Sequence, residues 1–452
     1  MKLQPSIPSN KIFLKTYLFD AFIILFILTI NLTIIQDTVF GNIPFAYRIF
    51  INSGILIIAF FIRFRTKIFK IKYLPNIAII LCAIWVMDIV QLVIFRSSGL
   101  HITSLYILIT LYALYLYNCI EYYSIFFSSY KKSFEIVLSP YIYISLYNVF
   151  IVILAFILIL LGVIQANSNP VEYSLLTPNI NAGVDYFYPA HLSIVSAAEF
   201  RLSILGDIPM ITGLTHEPHV LCFMVFPALF FILANQNLKK RIKYLMIVVY
   251  SFVGLLCMST TTILCLIIVI ILHLLSNSLL QKRGYITLIL AIVLIIVGYI
   301  LFGTILKEVI LFKTTIATGS RDYSSNMLLF MLTPKSILGF GTVLAPQEIF
   351  SGKYQVGLIS SFLLILFYMY FFIKIITFVF SKNQITHYIG LGLLYFSLHM
   401  LKLGNLIFEY PFLIFMIVVP FAYCQKLKRN NILLYSALGH PKAHYVVDNQ
   451  ID

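Results

Sequence analysis

The stretch GLTHEPHVLCFMVF, Gly213 to Phe226, sets His216, Glu217 and His219 at the mouth of an apolar run. An imidazole or a carboxylate in such a place can take a proton from a hydroxyl group. Pro218 suits the first position of a helix, where its missing N–H has no partner to lose. Glu217 then sits at the helix N-terminus. Unpaired N–H groups and a partial positive charge there favour an ionised carboxylate, or part of an anionic ligand such as a phosphate. His216 and His219 are three residues apart and fall on one side of the helix. The same three residues also read as a helix cap with interfacial histidines, and spacing alone leaves both readings open.

Cations that suit a phosphate lie elsewhere in the chain. Arg201 and Arg321 each offer a planar fork that meets a phosphate through two hydrogen bonds. Each, read alone, is also an ordinary solvated charge. The segment FSLHMLKLGNLIFEYP carries His399, Lys402 and Glu409. Lys402 either snorkels to a membrane surface or faces the same cavity as the arginines. Asp88 sits within the apolar segment IWVMDIVQL, where it marks a functional group or pairs with Gln91 or Arg48. The sequence has no phosphate-binding glycine loop, dinucleotide fingerprint, zinc-ligand cluster or serine-nucleophile elbow, so no cofactor and no metal is implied. The six cysteines read as small buried apolar residues.

These residues must be positioned by an apolar chain. Of the 452 residues, 61% are hydrophobic and 10% charged, and the mean hydropathy is +1.00. Apolar runs of about 17 to 25 residues recur, each long enough to cross a hydrocarbon core of ~30 Å. Strands of a membrane barrel would be shorter and alternate polar with apolar. Backbone groups in lipid must be satisfied internally, so helices are the forced solution. The reading is an all-α polytopic integral membrane protein, a single membrane domain over residues 1–452 with about 12 transmembrane helices. They fall near residues 17–36, 46–62, 76–95, 102–120, 141–164, 218–235, 244–259, 262–279, 285–303, 356–379, 387–403 and 406–424. The seventh and eighth share a run broken by Ser259–Thr262, so one long helix is the alternative there. The first run follows Lys2, Lys11 and Lys15 but is too long for a signal core and has no cleavage site, so it reads as an uncleaved span.

The basic residues set the orientation. Arg63–Lys72, Lys131–Lys132, Lys239–Lys243, Lys282–Arg283 and Lys426–Arg429 fall on one side, with about 22 of the 31 Lys and Arg. Both termini are then cytoplasmic, including a tail at 425–452. The net charge of +15 is a topology and headgroup signal, and nucleic acid is not an expected partner. Two long loops, 165–218 and 303–356, fall on the outer face and read as functional. In the second, Ser320 caps a helix that ends at Thr333–Pro334 and lays Met327, Leu328, Met331 and Leu332 along the membrane interface; a turn at Gly339–Gly341 follows.

Taken together, RLSILGDIPMITGLTHEPHVLCF, MSTTTILCLIIVI and GSRDYSSNMLLFMLTPKSILGFGT resemble segments of bacterial O-antigen polymerases of the Wzy type, within the wider polymerase and ligase group. Eleven residues lie between Arg201 and Gly213, and seventeen between Arg321 and Gly339, a departure from the fixed Arg-to-Gly spacing of some members. The resemblance implies a GT-C-like membrane glycosyltransferase of lipopolysaccharide biosynthesis in the bacterial inner membrane, with its site facing the periplasm. Its reaction would move a growing glycan from undecaprenyl diphosphate to the sugar end of an incoming lipid-linked repeat unit. Glu217, His216 or His219 would activate the acceptor hydroxyl. Arg201, Arg321 and Lys402 would hold the diphosphate. The partners implied are undecaprenyl-diphosphate-linked repeat units, the lipid bilayer and a chain-length regulator. The alternatives are an O-antigen ligase and, from another class, a lipid-linked oligosaccharide flippase, which would have short outer loops and charges facing a central cavity.

Overall fold

Long apolar runs fold as helices, and the described residues of the computed structural model are mostly helical. It describes residues 10–29, 45–64, 86, 100–170, 186–196, 210–215, 218–257, 259–280, 357–403 and 411–427. The helices are α1 (Asn10–Thr29), α2 (Phe45–Phe64), α3 (Leu100–Phe127) and α4 (Tyr130–Leu160). Then come α5 (Pro218–Ala234), α6 (Lys240–Cys257) and α7 (Thr260–Leu280). The last are α8 (Gly357–Val379), α9 (Gln384–Leu403) and α10 (Pro411–Met416), which runs on into a π-helical turn at Ile417–Phe421. Among the described residues, Tyr130–Leu160 is the one helix long and apolar enough to cross a membrane; Phe50–Arg63, His219–Ala234, Thr261–Ser276, Leu366–Val379 and Phe412–Leu427 are shorter apolar segments.

The helices occupy the expected runs with informative differences. α4 begins at Tyr130, not near residue 141, because it continues through Pro140. Pro140 has no N–H for the carbonyl of Ile136, and Ser139 Oγ donates to that carbonyl at 2.8 Å instead. α1 begins at Asn10, not Tyr17, and takes in Lys11 and Lys15. The run around residue 259 forms two helices. Ser259 caps the second, its Oγ accepting from Thr262 N at 3.3 Å. The first long loop contains a small sheet: β1 (Tyr186–Phe187), β2 (Ile194–Ser196) and β3 (Met210–Gly213), antiparallel in the order β1-β2-β3. The spans expected at 76–95, apart from Val86, and at 285–303, and the loop 303–356, lie outside the described residues.

Chain contacts group into two units, 1–76 with 100–264 and 375–452, and 77–99 with 265–374. In the second, Phe367 stacks on Phe371 and Tyr368 on Phe372 along α8. The first unit is built around α5, which is buried along nearly its whole length from Leu221 to Ala234. A helix that is apolar on every side belongs at the centre. α4 runs antiparallel to α5: Val152 lies by Gly213 and Leu221, and Tyr141 meets Phe231. α6 and α9 are also antiparallel to α5, since Phe226 meets Tyr250 and Tyr395 while Gly392 lies against Phe230 and Phe231. α2 and α3 run parallel, with Phe60 against Tyr115 and Arg63 against Asn118.

These directions give the unit two unlike ends. One end holds Lys15, Arg63, Lys131, Lys132, the Lys239–Lys243 turn and Lys426, which lies over the Tyr130 ring. The start of α1 and the end of α10 are both there. The other end holds the sheet, where β3 packs on α4, α5 and α6. The outer faces are apolar: Leu18 and Phe22 of α1, Phe61 of α2, Phe150 of α4, and Val248 and Leu255 of α6 are exposed. The interior holds Asp20, Arg63, Asn118, Glu121 and His399.

Gly392 allows α5 and α9 to touch. A Cβ there would lie 2.7 Å from Phe231 Cε1 and 3.0 Å from the Pro227 carbonyl oxygen. Gly54 on α2 has open space at the same position. Gly392→Ala is expected to cost about 1–3 kcal/mol through overpacking, and Gly54→Ala to be neutral or stabilising. Thermal unfolding of the two purified variants checks the difference.

Candidate functional site

Backbone hydrogen bonds from the sheet support the chain that leads into α5. β-Branched Ile194, Val195, Ile211 and Thr212 suit paired strands, and Val195 lies opposite Ile211. Thr212 Oγ1 donates to the Ile194 carbonyl at 3.0 Å, and Ser193 Oγ to the Gly213 carbonyl at 3.2 Å. Cys257 of α6 donates from Sγ to the Ile211 carbonyl at 3.4 Å. The chain then turns at Gly213, whose φ of +64° is a left-handed conformation that glycine adopts without strain. Thr215 closes the turn, its Oγ1 donating to the Thr212 carbonyl at 2.9 Å. Thr215 is buried. The described chain runs through this turn to Thr215 and resumes at Pro218.

His219 lies half-buried in the first turn of α5. One turn further, Phe223 stacks on Phe396 of α9, with ring centroids 4.8 Å apart, and meets His399 at 5.9 Å. The two helices are antiparallel, so a further turn along each brings His219 level with position 402. Phe412 of α10 packs against both Phe223 and Phe396. Two expected site positions, His219 and the backbone of Lys402, thus lie toward the sheet end of α5 and α9. His399 is fully buried between Phe223 and Tyr395 and forms part of the floor beneath them. His216, Glu217, Arg201 and Arg321 lie outside the described residues, as do Asp88 and Glu409. Among the described residues, no three His, Cys, Asp or Glu side chains are grouped to hold a metal ion.

One charged group escaped the sequence reading. Asp20 and Arg63 form a buried ion pair at the opposite end of the unit. Arg63 opens the basic run Arg63–Lys72 that the sequence assigns to orientation; in the structure it is the buried counter-ion of Asp20. The signal available was an acid, Asp20, inside the first apolar run. The little sheet was also missed, although IVS and MIT are short β-branched segments of the right kind.

No protein-family model, curated protein or solved structure matches this chain.

An alanine Cβ at Gly213 would lie 3.1 Å from both Leu221 and Val152, in a conformation that already disfavours a side chain. Gly213→Ala is expected to destabilise the mount by about 1–3 kcal/mol. Faster proteolysis between residues 196 and 218 than in the native protein is the measurement that checks it.

Proposed function

We propose that the protein is a polytopic membrane glycosyltransferase that lengthens a lipid-diphosphate-linked glycan, a polysaccharide polymerase of the O-antigen type. In this reading it has about 12 spans, both termini in the cytoplasm and its site at the periplasmic face of the inner membrane. The observation that carries the reading is the polarity of the first unit. Basic residues gather at one end, and the sheet, the start of α5 and the end of α9 gather at the other. Apolar outer faces with a polar interior support a lipid surround. The start of α1 and the end of α10 at the basic end support cytoplasmic termini. Residues 64 and 100 lie at opposite ends of the unit, which supports a span between them.

The chemistry follows from the residue types. A base, Glu217 or His216 or His219, takes the proton of the acceptor sugar hydroxyl. That oxygen attacks the anomeric carbon of the donor glycan and forms the new C–O bond. The bond from this carbon to the diphosphate breaks, and the diphosphate leaves with the electron pair. Arg201, Arg321 and Lys402 neutralise the charge that develops on it. No acid is needed for such a leaving group. A lipid-anchored donor must reach the site from the bilayer, which suits a site where helices end. A flippase would turn charges toward a central cavity, whereas the buried Asp20–Arg63 pair is saturated by its own neighbours.

Deleting the gene in its host and separating the extracted lipopolysaccharide on a gel tests this. The long ladder is expected to collapse to core carrying one repeat unit. A ladder that persists unattached to core would instead identify a ligase. Loss of even the single capped repeat, with lipid-linked repeats trapped in the cytoplasm, would identify a flippase. Glu217→Gln, Arg201→Ala and Arg321→Ala, at native levels in the membrane, are each expected to lower polymer formation by about 10²–10³-fold.

A further inference from the structure

Asp20 and Arg63 sit where charge is costly. Asp20 is 1% exposed and Arg63 6%. Their neighbours meet the carboxylate fully. Oδ1 accepts from Arg63 Nε at 2.9 Å and from the Tyr115 hydroxyl at 2.7 Å. Oδ2 accepts from the Tyr123 hydroxyl at 2.6 Å and from the second arm of the Arg63 fork. The remaining arm of Arg63 donates to Asn118 Oδ1 at 2.6 Å. The Tyr115 and Tyr122 rings lie 5.5 and 5.1 Å from the guanidinium carbon. A buried pair is tolerated when its geometry is good and its other lone pairs are met, while one partner left alone is strongly destabilising. The cluster lies away from the sheet, and both carboxylate oxygens are occupied, so a role in binding substrate is not available to it.

We propose that this pair is an assembly lock: α1 and α2 become stably integrated only together, docked on α3, and Arg63 serves as the counter-ion of Asp20 and not as an orienting cation. The inference rests on the membrane part of the reading above and is independent of the reaction. Four further basic residues, Arg65, Lys67, Lys70 and Lys72, follow Arg63 and suffice to hold that end in the cytoplasm. A guanidinium or a carboxylate entering lipid alone is expensive, and the pair enters as a neutral unit.

The test is a double-mutant cycle in the full-length protein, read as the amount of chain that resists carbonate extraction from membranes. Asp20→Asn and Arg63→Gln are each expected to lower that amount about ten-fold, because each strands its partner. The double variant D20N/R63Q is expected to recover to within about three-fold of the native level, since neither charge is then stranded. A reporter fused to the C-terminus of R63Q is expected to stay on the cytoplasmic side. Single variants at native levels, a double variant no better than the worse single, or an inverted reporter would each overturn the lock. Carbonate extraction of the native chain itself would overturn both the lock and the membrane reading. Additive losses in a carbonate-resistant chain would overturn the lock alone.

Discussion

The hydrogen bond from the Tyr141 hydroxyl to the Met224 carbonyl, 2.6 Å long, shows what the first unit is arranged to satisfy. Pro227 lies inside α5 and has no N–H for the Phe223 carbonyl, a gap that loosens the ladder of a helix at that turn. In an apolar surround the loosened carbonyls have no water to turn to. α4 supplies the donors, Tyr141 to Met224 and Ser145 to Val225 at 3.0 Å. Ser145 in turn accepts from Tyr250 of α6, also at 3.0 Å. The central helix, with a proline inside it, thus takes hydroxyl donors from α4, and α4 in turn bonds to α6. On its remaining side, Gly392 lets α9 approach until its backbone touches Pro227.

That arrangement positions the candidate site from below. α5 and α9 are aligned by stacked rings, Phe226 on Tyr395 and Phe223 on Phe396, so their ends arrive at the same level. His219 and position 402 lie toward that end. The sheet completes the support from the side, because β3 is bonded to β2 and to Cys257 before it turns at Gly213. Each strand offers backbone bonds that a free loop lacks.

Charge is handled by two different solutions in the same unit. Lysines that end at the basic end stay exposed or lie along nearby groups, as Lys243 does in donating to the Leu233 carbonyl at the end of α5. The ion pair of Asp20 and Arg63 is instead drawn inside and saturated. The difference is one of partners: Arg63 meets a carboxylate on α1 and Asn118 with two tyrosine rings on α3, and Lys243 meets the end of α5.

Helices were legible in the sequence wherever an apolar run had a clear end. Pro218 marks the start of α5, and Ser259 lies in the break between α6 and α7. Those ends depend on local rules, a missing N–H or a side-chain cap, and a linear reading sees them. The length and number of apolar runs likewise follow from composition alone. The start of α4 was not legible, because whether a helix survives Pro140 depends on Ser139 turning back to Ile136. The sheet was not legible as a mount, because its value comes from pairing Val195 with Ile211, 16 residues later in the chain. The pairing of Asp20 with Arg63 was not legible, for its meaning lies in a contact between residues 43 apart in the chain. By itself the sequence determined which segments are apolar helices, where the cations collect and which residue types suit phosphate chemistry. The tertiary structure decided which charges are paired and which helices touch, because both are set by contacts between residues far apart in the chain.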